Sequence, residues 1–162
     1  MTRRPLPAAV LTFALLAVGC DAAPPATTQA AGPQPQSLPT IPLTINGTTL
    51  TIQVADTEPT REIGLMYTHQ MPADHGMIFV FPGESELGFW MKNTPIDLDI
   101  VYVDHAGKVV SVKTMKAYDL SNVASDGAAS YAIELNAGIA AKLKIVAGQQ
   151  IDLPATLLKN AK

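Results

Sequence analysis

Asn46-Gly47, set between the alternating apolar residues of "IPLTINGTTLTIQVAD", narrows the possible folds more than any other feature of this chain. Both residue types accept positive φ, so the pair closes a two-residue β-hairpin. Leu50, Ile52 and Val54 then share one strand face while Thr51 and Gln53 point the other way. Similar segments follow. "GMIFVF" (76–81) is continuously apolar and predicts a strand buried on both faces, and "LGFWM" predicts another. "LDIVYVD" and "KVVSVKTM" flank a hairpin loop at His105-Ala106-Gly107. "SYAIELN" and "GQQIDL" complete the strands. Only two short helices interrupt them. One lies in "DTEPTREIGLMY", capped by Asp56 or Thr57, with Pro59 in its first turn and Gly64 at its end. The other lies in "AGIAAKL", with Asn136 as its cap. Many short strands and two short helices predict an α+β, mainly β domain, a curled sheet or small barrel-like body, over residues 40–154. Residues 155–162 read as a frayed tail.

The residues before this domain form an address and a tether. Arg3 and Arg4 precede a nearly continuous apolar run from Leu6 to Val18, the pattern of a secretory signal over residues 1–19. That run is shorter than the roughly 20 residues needed to span a bilayer. It ends in "LLAVGC", which resembles the lipobox of bacterial lipoproteins, although Ala17 stands where leucine is more frequent. The resemblance implies cleavage after Gly19 and acylation of Cys20, the only cysteine in the chain. Several acyl chains give durable membrane attachment. Asp21 resembles an inner-membrane retention signal, which places the domain on the periplasmic side. Residues 20–39, rich in Ala, Pro, Gln and Thr, read as anchor and disordered linker.

Composition excludes several functions. Without Arg3 and Arg4, the exported form keeps 9 basic residues against 14 acidic ones. No basic stripe remains for nucleic acid. A single cysteine builds neither an intramolecular disulfide nor a cysteine-rich zinc site. There is no phosphate-binding glycine loop, no His-Glu-x-x-His and no Gly-x-Ser-x-Gly.

Three segments, "VADTEPTREIGLM", "GMIFVFPGESELGFWMKNTPIDLDIVYVD" and "SDGAASYAIELNAG", together resemble the bacterial and archaeal family known as domain of unknown function 192. The resemblance runs from about Leu50 to Leu153. Its pattern falls on Arg61, Gly64 to Met66, Gly76, Met77, Phe79, Phe89 to Thr94, Asp99, Gly107, Ser125, Glu134, Gly138 and Gly148. The chain departs from it at Asp97, where proline is common, and at His69, where a basic Arg or Lys is usual. The resemblance implies a compact β-rich fold, often secreted or membrane-anchored, and brings no established activity.

Chemistry has two candidate places. Read as a strand, "FWMKNT" puts Trp90 and Lys92 on one face and Phe89, Met91 and Asn93 on the other. An apolar wall, a cation and amide donors suit a small polar or anionic ligand, and they suit a barrel cap and turn equally well. Arg61, Asp99 and Glu134 are charged residues in apolar surroundings. Either they form structural ion pairs, Arg61 or Lys92 with Asp99 or Glu134, or they line a shared cleft. Two carboxylates could also act as acid and base. The other place is Met66, His69, Met71, His75 and Met77, where paired His-x-Met motifs suit Cu(I). Met66 and Met77 also read as core fillers.

The reading that follows is a lipid-anchored envelope protein with a non-enzymatic binding domain. It requires no cofactor. Its partners are the membrane through Cys20, and a small ligand or envelope protein near Arg61, Trp90, Lys92, Asn93, Asp99 and Glu134. The alternatives are a copper protein using His69, Met71, His75 and Met77, and an envelope enzyme using Asp99 or Glu134.

Overall fold

The computed structural model describes residues 32–158. The signal segment and Cys20 therefore lie outside the described residues. Six strands form one curled, open sheet: β1 (Thr40–Ile45), β2 (Thr48–Ala55), β3 (His75–Phe89), β4 (Leu98–Val103), β5 (Val109–Met115) and β6 (Val123–Asn136). Their order across the sheet is β1-β2-β3-β6-β4-β5. Three short helices accompany them: α1 (Glu58–Ile63), α2 (Ile139–Lys142) and α3 (Ala155–Leu158). The curled, mainly β architecture read from the sequence is the one that forms. It stays open rather than closing into a barrel, because β1 and β5 end the sheet without pairing to each other.

Asn46 and Gly47 close the first hairpin with φ of 49° and 80°, pairing Ile45 with Thr48. β2 and β3 are parallel, with Thr51 opposite His75. A parallel pair needs a crossover, and α1 occupies it. The remaining pairs are antiparallel, and β6 lies between β3 and β4. Side chains therefore alternate between two buried faces. Ile78, Val80, Val101, Val103, Tyr131, Ile133 and Leu135 fill the first, beneath Ala140 of α2 and Leu157 of α3. Met77, Phe79, Leu98, Ile100, Tyr102 and Ala132 fill the second, with Leu65 and Met91.

The structure corrects several details. "LGFWM" is not a separate strand. β3 runs through to Phe89, and register shifts between Val80 and Ser85 and between Glu86 and Gly88 bend it. "GQQIDL" makes a single bridge, Lys108 to Gln150, because left-handed Gly148 turns the chain across the 104–108 loop rather than along it. Gly138, not Asn136, takes the cap position of α2; the Asn136 amide instead donates to the carbonyls of Met71 and Pro72. The end of the presumed tether is held in place. Gln36 Nε2 donates to the carbonyls of Thr60 and Gly64, both at 2.8 Å, and so ties this segment to the end of α1; the Thr60 carbonyl also accepts from Gly64 N–H. Beyond Pro154 the chain turns into α3 and buries Leu157 instead of fraying there.

Candidate functional site

On the second face, near the C-terminal end of β6, sits Glu134. It lies opposite Met77 of β3 and Ile100 of β4 and is only 4% exposed. It makes no hydrogen bond or ion pair with any other described residue. Burial, with no compensating partner, pushes its carboxyl up to about 8. A buried acid without a partner is costly. Perturbed acids in clefts are also where chemistry concentrates.

Glu134 borders a cavity of about 40 Å³ that is also lined by Arg61, Leu65, Phe79, Phe89, Trp90, Lys92 and Thr94. That volume suffices for a few water-sized groups, since one water needs roughly 10–15 Å³ on this scale. Arg61, Glu62, Phe89 and Trp90 also line an adjoining open groove of about 530 Å³, bounded further by Glu58, Phe81 and Gly88. Ligand pockets span roughly 300–1,000 Å³. Pit and groove together make a cleft with a carboxyl at its inner end and aromatic rings along its wall.

Local sequence explains how each wall is held. Thr57 caps α1 and exchanges hydrogen bonds with Thr60, while Pro59 lies in the first turn. Gly64 ends the helix at φ 50°, and a Cβ there would come within 3.2 Å of the Phe79 ring. Arg61 Nη1 donates to the carbonyls of Asp56 and Val80, each at 2.8 Å, and its guanidinium lies 5.1 Å from the Phe81 centroid. The helix is thereby stitched to β3, with other Arg61 donors left over.

The opposite wall is a loop rather than the expected strand. Met91 N–H donates to the Asp119 carbonyl and Tyr118 N–H to the Thr94 carbonyl, so the loop pairs with residues 118–119 instead of extending β3. Asn93 takes a left-handed φ of 54°. Its amide donates to the Tyr67 hydroxyl at 3.0 Å, and its carbonyl accepts from Tyr67 N–H at 2.7 Å. Asn93 is thus a clamp outside the pit lining. Asp97, the departure from the family pattern, accepts from Lys116 Nζ and Ala117 N–H and fixes the neighbouring loop. Trp90 is 51% exposed, and Lys92 Nζ lies 5.1 Å from its ring centroid.

The structure therefore brings Arg61, Trp90, Lys92 and Glu134 together and separates Asp99 from them. Asp99 lies on the first face, opposite Leu135. It accepts from Thr114 Oγ1 at 2.8 Å and from the Ala140 N–H of α2 at 3.0 Å. It is a helix-capping carboxylate, and none of the four suggested ion pairs forms. The Met/His segment is dispersed. Met77 is fully buried in the second core and Met66 Sδ receives the Asn93 amide. His69 is exposed, while His75 pairs with Asp74 at 2.8 Å. Met77 cannot join His69 at one ion without leaving the core. Among the described residues no three His, Cys, Asp or Glu side chains group to hold a metal.

Glu58, Glu62, Phe81 and Thr94 were missed as site residues. The signal for Phe81 was available: Met77, Phe79 and Phe81 alternate with period two on the face that carries Glu134. Glu62 and Thr94 carry no comparable signal.

Fold and cleft define a class: an open, curled, six-stranded α+β domain with a carboxyl-floored cleft beneath a crossover helix. A family model described as "DUF192: Uncharacterized ACR" matches residues 41–153, and the chain belongs to that family, domain of unknown function 192. Two solved structures resemble it. A Sinorhizobium meliloti 1021 protein described as a candidate transcription regulator is 32% identical. The match covers 68% of this chain and 88% of that one, with a TM-score of 0.63. A protein of unknown function from Novosphingobium aromaticivorans DSM 12444 is 30% identical, with coverage of 72% and 86% and a TM-score of 0.66. No functionally curated protein matches the chain significantly.

Proposed function

We propose that this domain binds a small polar molecule in the cleft between α1 and the 90–94 loop, and that it does so as a lipid-anchored protein of the bacterial envelope. One observation carries the binding reading: Glu134 is buried, has no partner among the described residues, and borders a cavity shared with Arg61 and Lys92. Among the described residues those two cations form no ion pair with a carboxylate either. Three ionisable side chains converge without satisfying one another, so a ligand can supply what each lacks. The anchor reading rests on Arg3 and Arg4, the Leu6–Val18 run and Gly19-Cys20.

A thermal-shift screen of the mature chain against sugars, carboxylates, amines, nucleotides and peptidoglycan fragments tests the binding reading. A ligand at a hundred times its Kd stabilises the fold by about 2.7 kcal/mol. The expected hit shrinks in Trp90→Ala and vanishes in Glu134→Leu; a hit unaffected by both places the site elsewhere. The anchor is checked separately. Cys20→Ala is expected to move the protein from the membrane to the soluble fraction and to abolish palmitate labelling, and an unchanged distribution rejects the anchor.

A further inference from the structure

The chemistry of the cleft says more about its occupant. We propose that the ligand is a neutral, polyhydroxylated ring, a sugar residue, lying along the Trp90 and Phe89 wall with one hydroxyl directed into the pit toward Glu134. This rests on the reading that the cleft is a binding site.

Size comes first. The pit of about 40 Å³ accepts a hydroxyl or a bound water but not a ring, whereas the adjoining groove of about 530 Å³ accepts rings. Charge comes next. Pit and groove present two cations, Arg61 and Lys92, and the carboxylates of Glu58 and Glu62. The buried Glu134 is held mainly protonated at neutral pH. The lining is therefore balanced. An anion would meet Glu58 and Glu62 in the groove. A cation would meet Arg61 and Lys92, and the Trp90 ring that would attract it already faces the Lys92 ammonium. A neutral ligand avoids both conflicts.

Hydrogen bonding narrows the choice further. A hydroxyl both donates and accepts, so it can satisfy Glu134 in either protonation state and still accept from the unused Arg61 donors. A ring with several hydroxyls also has C–H faces. The half-exposed Trp90 offers them a flat apolar surface, and the Phe89 and Phe81 rings, edge-to-face at 6.2 Å, continue it. An apolar hydrocarbon would leave Glu134 and Arg61 unsatisfied.

Trp90 is the only tryptophan in the chain, so its emission reports directly on this wall. The mature full chain would be titrated with glucose, N-acetylglucosamine and their oligomers, and with glucuronate, glucosamine, acetate, benzoate and a small alkylamine. Neutral sugars are expected to change Trp90 emission saturably, with at least a tenfold affinity loss in Glu134→Leu. Their affinity is expected to vary less than about threefold between pH 6 and 9.5, although Glu134 titrates there facing Arg61 and Glu62 of α1, Lys92 of the loop and Tyr102 of β4. A charged probe that depends on one form of Glu134 would instead change affinity up to tenfold per pH unit around its titration. Response to glucuronate, glucosamine, the carboxylates or the amine without response to neutral sugars overturns the sugar assignment and leaves the binding site standing. Sugar binding that survives Glu134→Leu undiminished overturns the assignment too. Silence of Trp90 toward every probe overturns the sugar assignment, and a wider thermal-shift screen without any hit overturns the binding reading as well.

Discussion

Glu134→Gln is expected to stabilise the domain by on the order of 4–5 kcal/mol above pH 8, by about 3 kcal/mol at pH 7, and not at all at pH 4. The sign follows from proton counting. In the folded state the carboxyl titrates at about 8, because burial disfavours the charge; in the unfolded chain it titrates near the model value of 4.5. Below pH 4.5 both states hold the proton and the residue is neutral in its effect. Between 4.5 and 8 the unfolded chain releases a proton that the folded chain keeps, so stability falls as pH rises. Above 8 both are ionised and the penalty is constant. Glutamine has nearly the shape of the protonated acid and no charge to lose. Urea unfolding midpoints of both proteins from pH 4 to pH 9 would show curves that coincide at acid pH and diverge toward alkaline pH. Parallel curves across the range would mean that the ionised carboxylate is compensated in the folded state, and the argument for an unmet group in the cleft would go with it. The size matters because whole domains are stable by only about 5–15 kcal/mol. A folding requirement alone would select glutamine or leucine at this position. The binding role proposed for the cleft would account for the acid.

What could be read from the sequence follows the range of the interactions involved. Asn46-Gly47, Thr57 with Pro59, and Gly64 act on their immediate neighbours, and the structure contains the turn, the capped start and the helix end they encode. The face of Glu134, opposite Tyr131, Ile133 and Leu135, follows from period two alone. Pairing across the sheet does not. Asp99 and Glu134 look equivalent along the chain, each a lone acid in an apolar strand. The β4–β6 register sets them on opposite faces, one satisfied by Thr114 and Ala140 and the other by no described residue. "FWMKNT" reads as a strand because its residues alternate. It becomes a loop because Met91 and Thr94 bond to residues 118–119, a contact that no local pattern announces. The Met/His cluster failed for the same kind of reason. Nearness in sequence put Met77 beside His69, and β3 carried Met77 into the core.

Phe79→Ala is expected to cost about 3–5 kcal/mol at pH 5, the usual range for emptying a buried phenylalanine. The ring is 1% exposed, packs edge-to-face on Phe89 at 4.9 Å, and supports the end of α1 at Gly64. It also lines the pit that holds Glu134, so its loss should act through a second route. Removing it enlarges the cavity beside the carboxyl, admits water, and moves the Glu134 titration down toward the ordinary carboxylate range. The same substitution should therefore cost less at pH 9 than at pH 5, because part of the ionisation penalty disappears with the ring. Urea unfolding of Phe79→Ala, Glu134→Gln and the double variant at both pH values measures this coupling. At pH 5, where Glu134 is protonated in the folded wild type, the two effects should nearly add. At pH 9 the benefit of Glu134→Gln should be smaller in the Phe79→Ala background than in wild type. Equal benefit in both backgrounds would show that the Phe79 ring does not shield Glu134, and that the aromatic wall and the carboxyl are separate features rather than one cleft.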